Sequence, residues 1–233
     1  MSSQEPIVES RFGFPTFHSE ASKSSLNILQ AQNCIEMNLM QSILVLNEFQ
    51  TSDPLEVSLD RKTIYKDFFK EKSDFVKEPI SDIVLERIWK IFLKEERVFM
   101  IMDPYGGRMK EILESDIHFP HRKGNLYNIQ YLVWWDVNEI KASNKHVHWI
   151  KMLYKYMRPF VAKFSRATYL NYRDLDLGIN KESNISYLEA RVCGVKYFNS
   201  NFKRLAQVKS KVNPKNFFKN EQSIQLLLES GAD

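Results

Sequence analysis

Between Asn125 and Trp135 the side chains alternate with a period of two, which predicts a β-strand. Tyr127, Ile129, Tyr131, Val133 and Trp135 fall on one face; Asn128, Gln130, Leu132 and Trp134 fall on the other. The first face is wholly apolar or aromatic and has to be covered, so helices are expected over it. The second sets two amides among apolar neighbours and suits a pocket wall. A buried amide needs a hydrogen-bond partner. For Gln130 that partner is either a neighbouring strand or loop, or a bound molecule.

The rest of the chain supplies the helices. Ser81 to Glu96 places Ile83, Val84, Ile88, Ile91 and Phe92 on a stripe, with Ser81 as the expected cap. Glu139 to Ala162 repeats the pattern with Trp149, Ile150, Leu153, Tyr154 and Met157, until Pro159 interrupts it. Residues 186–195 and 197–210 read as two more helices, and Asp60 to Phe69 has near-helical spacing. Val98 to Met102 reads as a strand stopped by Pro104-Tyr-Gly-Gly107, and residues 167–177 read as another strand. Residues 1–25, rich in Ser, Pro and Glu, read as an irregular lead-in. Helices and strands without regular βαβ alternation predict an α+β fold, an antiparallel sheet covered on one face by helices.

Composition narrows the function classes. With 43% hydrophobic residues, the 233-residue chain can bury a sizeable core. Its net charge of +4 comes from 33 basic and 29 acidic residues, a mixed surface that does not suit nucleic acid. The densest basic run, Lys203 to Lys211, is broken by apolar residues and reads as a solvated helix face. No stretch approaches the ~20 apolar residues of a membrane span. The start, Met-Ser-Ser-Gln-Glu-Pro, lacks the pattern of a secretory signal. Asn184-Ile-Ser186 is a glycosylation sequon. Cys34 and Cys193 are too few for a disulfide framework and are expected to pack as small apolar residues. His118, His121, His146 and His148 have no Cys or acidic cluster to complete a metal site, and His121-Arg122-Lys123 reads as a solvated turn. With only 7 glycines there is no G-x-G-x-x-G cradle.

The run Tyr169-Leu-Asn-Tyr-Arg-Asp-Leu-Asp-Leu-Gly178 holds the residues with most chemistry. A tyrosine serves as a general base only where its phenol, ordinarily titrating at about 10, is made to ionise, and nearby cations or strong donors do this. On a regular strand Tyr169 and Asn171 would share one face and Tyr172 the other. Arg173 would then point away from Tyr172 and pair with Asp174 or Asp176. From composition alone this segment reads as structural.

With Asn216-Phe-Phe-Lys-Asn-Glu-Gln-Ser-Ile224, the same run resembles the C-terminal half of plant FAD-linked oxidases of the berberine bridge enzyme-like family. Similar stretches are Pro54-Leu-Glu-Val57, Phe69 to Val76, Asp103-Pro-Tyr-Gly-Gly107, Phe119-Pro-His-Arg122, Gly124-Asn-Leu-Tyr127 and Lys196-Tyr-Phe198. The resemblance implies a substrate-binding-domain-like region over 26–165, a berberine-like C-terminal segment over 166–224 and an atypical tail over 225–233. It implies that Tyr169, Asn171 and Asn220 touch FAD, that Tyr172 is the catalytic base, and that Gln130, Asn128 and Asp103 face the substrate. Some relatives place Lys or Glu at the position of Asn128.

The activity implied is hydride transfer from a small alcohol, sugar or alkaloid-like substrate to FAD, with O2 as acceptor. Nothing in residues 1–100 resembles the family's N-terminal flavin domain, with its pyrophosphate site and its covalently bonding His and Cys. Cys34 lies outside that role. A truncated product or an incomplete gene model is therefore expected, inactive alone, with apolar area uncovered near Tyr169, Tyr172 and Phe217. Its partner is then a missing flavin domain or a second copy of itself. The alternative is a non-catalytic remnant that binds a small molecule or a partner. Relatives are secreted, in the cell wall or vacuolar; the location of this chain is left open.

Overall fold

The computed structural model describes residues 7–9, 36–47, 49–60, 67–95, 97–136, 139–163, 166–180 and 186–227. Cys34, Asn184 and positions 61–66 lie outside them. The strands are β1 (Ile7–Glu9), β2 (Phe68–Val76), β3 (Val98–Pro104) and β4 (Tyr127–Trp135). The helices are α1 (Leu39–Leu46), α2 (Asp82–Phe92), α3 (Ile140–Met157), α4 (Tyr187–Phe198) and α5 (Asn201–Val212). One sheet carries the strands in the order β1-β3-β4-β2. β4 pairs antiparallel with both β2 and β3, so the fold is α+β around an antiparallel sheet. The short β1 joins β3 in parallel, within the stretch expected to be irregular.

The alternation in β4 decides the layering. Ile129, Tyr131 and Val133 are fully buried, Trp135 nearly so, and all four join a core with Val84, Ile88 and Phe92 of α2 and Trp149, Ile150, Leu153 and Met157 of α3. Trp149 Nε1 donates to the Ile91 carbonyl at 3.2 Å, tying the two helices together. In α2 the stripe is narrower than expected. Ile83 is 64% exposed, and Ser81 makes no side-chain cap hydrogen bond. Pro159 ends α3 by turning Arg158–Phe160 into a 3-10 turn.

Two expectations fail for reasons of hydrogen bonding. Phe68 and Phe69 belong to β2, not to a helix. The strand was hidden because Lys70, Lys72 and Asp74, paired with Val133, Tyr131 and Ile129, point toward the helix-covered side. Each finds a charged partner there: Lys72 Nζ lies 2.6 Å from Asp174 Oδ2, and Arg166 grips Asp74 from two nitrogens at 2.5 and 2.6 Å. Inward-pointing charges on an edge strand also discourage pairing with another chain.

Residues 167–177 are not a strand. The Tyr172 N–H donates to the Tyr169 carbonyl at 3.0 Å, closing a turn, and Leu175–Leu177 form a 3-10 turn. The Asp174 side chain accepts from the Asp176 N–H at 3.1 Å. Asp in such a place offers the backbone a local alternative to a ladder. Gly178 closes the segment at φ 136°, a conformation other residues avoid.

The α4–α5 hairpin forms a second small core. Gly194 is required there, because a Cβ would collide with the Phe202 ring. Cys193 is buried on the same helix, as expected of a small apolar residue.

Candidate functional site

The open face of the sheet is lined by Phe69, Glu71, Ser73 and Phe75 of β2, by Asn128 and Gln130 of β4, and by Ile101 and Asp103 of β3, as the strand registers require. The turn at Tyr169–Tyr172 is fastened over this face. The Ser73 hydroxyl lies 2.6 Å from Thr168 Oγ1 and accepts from the Tyr169 N–H at 2.8 Å. The turn brings the two tyrosines to one side, with rings edge to face at 5.1 Å. Tyr172 is buried, and its hydroxyl donates to Asp103 Oδ2 at 3.1 Å. Asp103 is the register partner of Asn128. Tyr172, Asp103, Asn128 and Gln130 therefore meet on one face, although they come from three separate segments.

The polar floor is unusual. Asn128 is 0% exposed, and neither its Oδ1 nor its Nδ2 has a hydrogen-bond partner among the described residues. Gln130 Oε1 is buried in the same condition, while Gln130 Nε2 donates to Glu71 Oε2 at 2.8 Å. A buried polar atom left unpaired costs about 1–3 kcal/mol. Natural interiors keep few of them, and each calls for a reason. Glu71 was not anticipated as a site residue. Burial pushes its carboxyl above the ordinary range, against the opposing effect of the Gln130 and Arg173 hydrogen bonds.

The remaining corrections concern charge. A cation or a strong donor would activate Tyr172; the hydrogen bond found there runs instead to the Asp103 carboxylate. Arg173 reaches Glu221 at 3.6 Å rather than Asp174 or Asp176. Those two aspartates instead take Lys70 and Lys72 at 2.6–3.3 Å, which anchors the turn to the edge of β2. His121 and Arg122 are buried rather than solvated. His121 stacks on Phe75 at 4.5 Å and its Nε2 lies 2.9 Å from the Tyr197 carbonyl. Burial lowers the His121 pKa to about 4, with Lys77 adding to it and the Tyr197 and Lys196 main chain opposing it.

Asn171 and Asn220 are exposed. Asn171 Nδ2 donates to the Tyr169 hydroxyl at 3.0 Å, and Asn220 Oδ1 accepts from the Gln222 N–H at 2.9 Å. Gln222 joins their two segments: its Nε2 donates to the Asp174 and Gly178 carbonyls at 2.8 Å, and its Oε1 accepts from the Tyr197 hydroxyl at 3.0 Å. Beside Asn220, Phe217 and Phe218 are 79% and 77% exposed, edge to face at 5.0 Å. Of the residues expected to leave apolar area uncovered, Phe217 is exposed and Tyr172 is buried.

No helix among the described residues is long and apolar enough to cross a membrane. The family described as "Berberine and berberine like" matches residues 168–225. The chain is 52% identical to berberine bridge enzyme-like 23 of Arabidopsis thaliana, over 86% of this chain and 38% of that protein. It is 48% identical to a tetrahydroberberine oxidase of Berberis wilsoniae, over 89% of this chain and 39% of that one. Its fold superposes on the structure of BBE-like #28 from Arabidopsis thaliana with a TM-score of 0.76 at 37% identity, covering 86% of this chain and 42% of that one. The chain thus spans about two-fifths of the length of these relatives. The family is FAD-linked. Over that shared length, sequence and fold agree that the chain belongs to the berberine bridge enzyme-like family, as its substrate-binding and C-terminal portion.

Proposed function

We propose that this chain supplies the substrate-facing wall and the proton-handling tyrosine of an FAD-linked oxidoreductase. It would act on a small alcohol, sugar or alkaloid-like molecule, with O2 as terminal acceptor. The observation that carries the reading is the Tyr172–Asp103 hydrogen bond on the face that holds three buried amide atoms without partners among the described residues. A polar floor of that kind suits a ligand that arrives with its own donors and acceptors.

The residues toward a flavin fit such a group. Asn171 lies exposed with its amide on the Tyr169 hydroxyl, and Asn220 lies exposed two residues after the open Phe217–Phe218 pair; amides and aromatic rings of this kind suit a planar heteroaromatic ring. FAD, when bound, supplies the acceptor for the substrate's hydride. Within the chain, the substrate hydroxyl gives its proton to Tyr172 Oη while the tyrosine's own proton passes to Asp103 Oδ2. One proton thus ends on Asp103, and Tyr172 stays neutral. Asn128 and Gln130 hold the substrate against the sheet. The exposed Phe217–Phe218 pair serves as a contact for a flavin-binding region or, without one, for a second copy of the chain.

The test joins the chain to the flavin-binding region of a berberine bridge enzyme-like relative. Tyr172→Phe should keep the flavin and slow substrate-driven flavin reduction by ~10²–10⁴-fold. Asn171→Ala and Asn220→Ala should instead weaken flavin retention. An unchanged reduction rate in Tyr172→Phe would overturn the assignment of the base.

A further inference from the structure

We infer that Glu71 is a positioning residue: it holds the Gln130 amide in one sense, so that the site presents Oε1, an acceptor, and selects a substrate carrying a hydroxyl or N–H donor. This deepens the reading above and rests on it.

The Gln130 amide is asymmetric. A glutamine side chain has one acceptor and one donor end, and either can face a neutral partner. A carboxylate only accepts. Glu71 Oε2 takes the Gln130 Nε2 donor at 2.8 Å, which commits that end of the amide. The Arg173 main-chain N–H also points at the Glu71 carboxylate, so the carboxylate is itself held by the turn that carries Tyr172. Gln130 Oε1 is what remains, 6% exposed as a residue and without a partner among the described residues. The fixed sense of the amide makes the unmet need at this spot an acceptor's need. A hydroxyl or an N–H meets it; an ether or carbonyl oxygen does not. Sites built to bond a substrate hydroxyl discriminate strongly against analogues without one.

The position has no other evident use. Glu71 faces Leu132 across the ladder, on the side away from the helices, while the lysines on either side of it serve Asp174 and Asp176 on the other. It is the acidic residue of β2 that the ion-pair network does not employ. A residue acting through Gln130 should alter which ligand binds rather than whether the chain folds.

The experiment uses the full chain, labelled with nitrogen-15, and needs neither flavin nor turnover, so it can fail while the oxidoreductase reading stands. The Gln130 side-chain amide pair is identified by its disappearance in Gln130→Glu. In the wild type one proton of that pair should be displaced downfield by the carboxylate, and in Glu71→Gln the displacement should vanish. The chain is then titrated with cinnamyl alcohol and with cinnamyl methyl ether. The alcohol should bind at least ~10-fold tighter. Glu71→Gln, whose amide can satisfy Gln130 in either sense, should bring the ratio near one. Glu71→Asp, which keeps an acceptor, should restore the preference.

Three results would each overturn the assignment. One is an ordinary, undisplaced Gln130 pair in the wild type, which needs no variant to fold. Another is an alcohol preference that survives Glu71→Gln in a chain with native spectra. The third is a wild type whose open-face signals respond to neither probe.

Discussion

The two faces of this sheet come from the same strands and obey opposite rules. On the covered face, Ile129, Tyr131 and Val133 are fully buried beneath Leu153 and Met157, and apolar area removed from water stabilises the fold. On the open face, Asn128 is equally buried yet keeps both amide atoms unpaired among the described residues. Burial is the same; the chemistry of what is buried is not. Neighbouring residues of one strand can therefore serve stability and binding separately, because the pleat turns them apart.

The largest effect should come where the two faces are pinned together. Asp174 sits at the edge of β2 with a side chain only 1% exposed, against Lys72 at 3%. Removing one partner of a buried pair strands the other, typically at about 3–5 kcal/mol. Asp174→Ala should lower stability by that order in urea unfolding and release the Tyr169–Tyr172 turn. A loss no larger than that of an exposed pair would mean the turn is held by other contacts. Next comes the covered face alone. Leu153→Ala, at a fully buried site, should cost about 2–5 kcal/mol. A smaller cost would show that α3 is a loose cover.

Acid should then separate the two sides. The folded chain holds His121 near 4 against an ordinary 6.5, so the unfolded chain binds the extra proton between those values. Stability from His121 is present above pH 6.5 and is lost as pH falls toward 4, by up to about 3 kcal/mol. Asp74 works in the opposite sense, because burial pushes its carboxyl up to about 6 against Arg166. The folded state then binds the extra proton, which favours it as pH falls through 6. Comparing wild type with His121→Gln cancels the Asp74 contribution. The wild type should lose more stability between pH 6.5 and 4.5 than the variant; parallel profiles would show that His121 takes up its proton in the fold as readily as in the unfolded chain.

Much of the covered face was legible in the sequence, and less of the open one. β4 announced both of its faces through strict alternation, and α3 through its apolar spacing, because both patterns point apolar residues at a core. β2 was obscured because Lys70, Lys72 and Asp74 point inward and are neutralised by partners about a hundred residues away. Glu71 was hidden with it. Had β2 been recognised as a strand, the period of two would have set Glu71 on the face of Gln130. The Tyr169–Gly178 segment was legible by resemblance but not by geometry. Asp174 and Gly178 make it a turn, and only a turn brings Tyr169 and Tyr172 side by side. His121 and Arg122 misled for the opposite reason: polar residues after a proline read as surface, yet here both are buried, His121 against Tyr197 of α4 and Arg122 over the Phe119 ring.

The smallest expected change is also the most direct test, since Asn128 and Ile129 are adjacent, equally buried and on opposite faces. Thermal unfolding of Asn128→Val and Ile129→Asn in the isolated chain compares them. Asn128→Val removes two unpaired buried atoms and suits a strand, so it should raise stability by ~1 kcal/mol or more, about 2–4 °C. Ile129→Asn buries a new amide under helices and should lower stability by several times that amount. If Asn128→Val destabilises the chain as Ile129→Asn does, the amide is bonded within the fold and the open face is not held for a ligand.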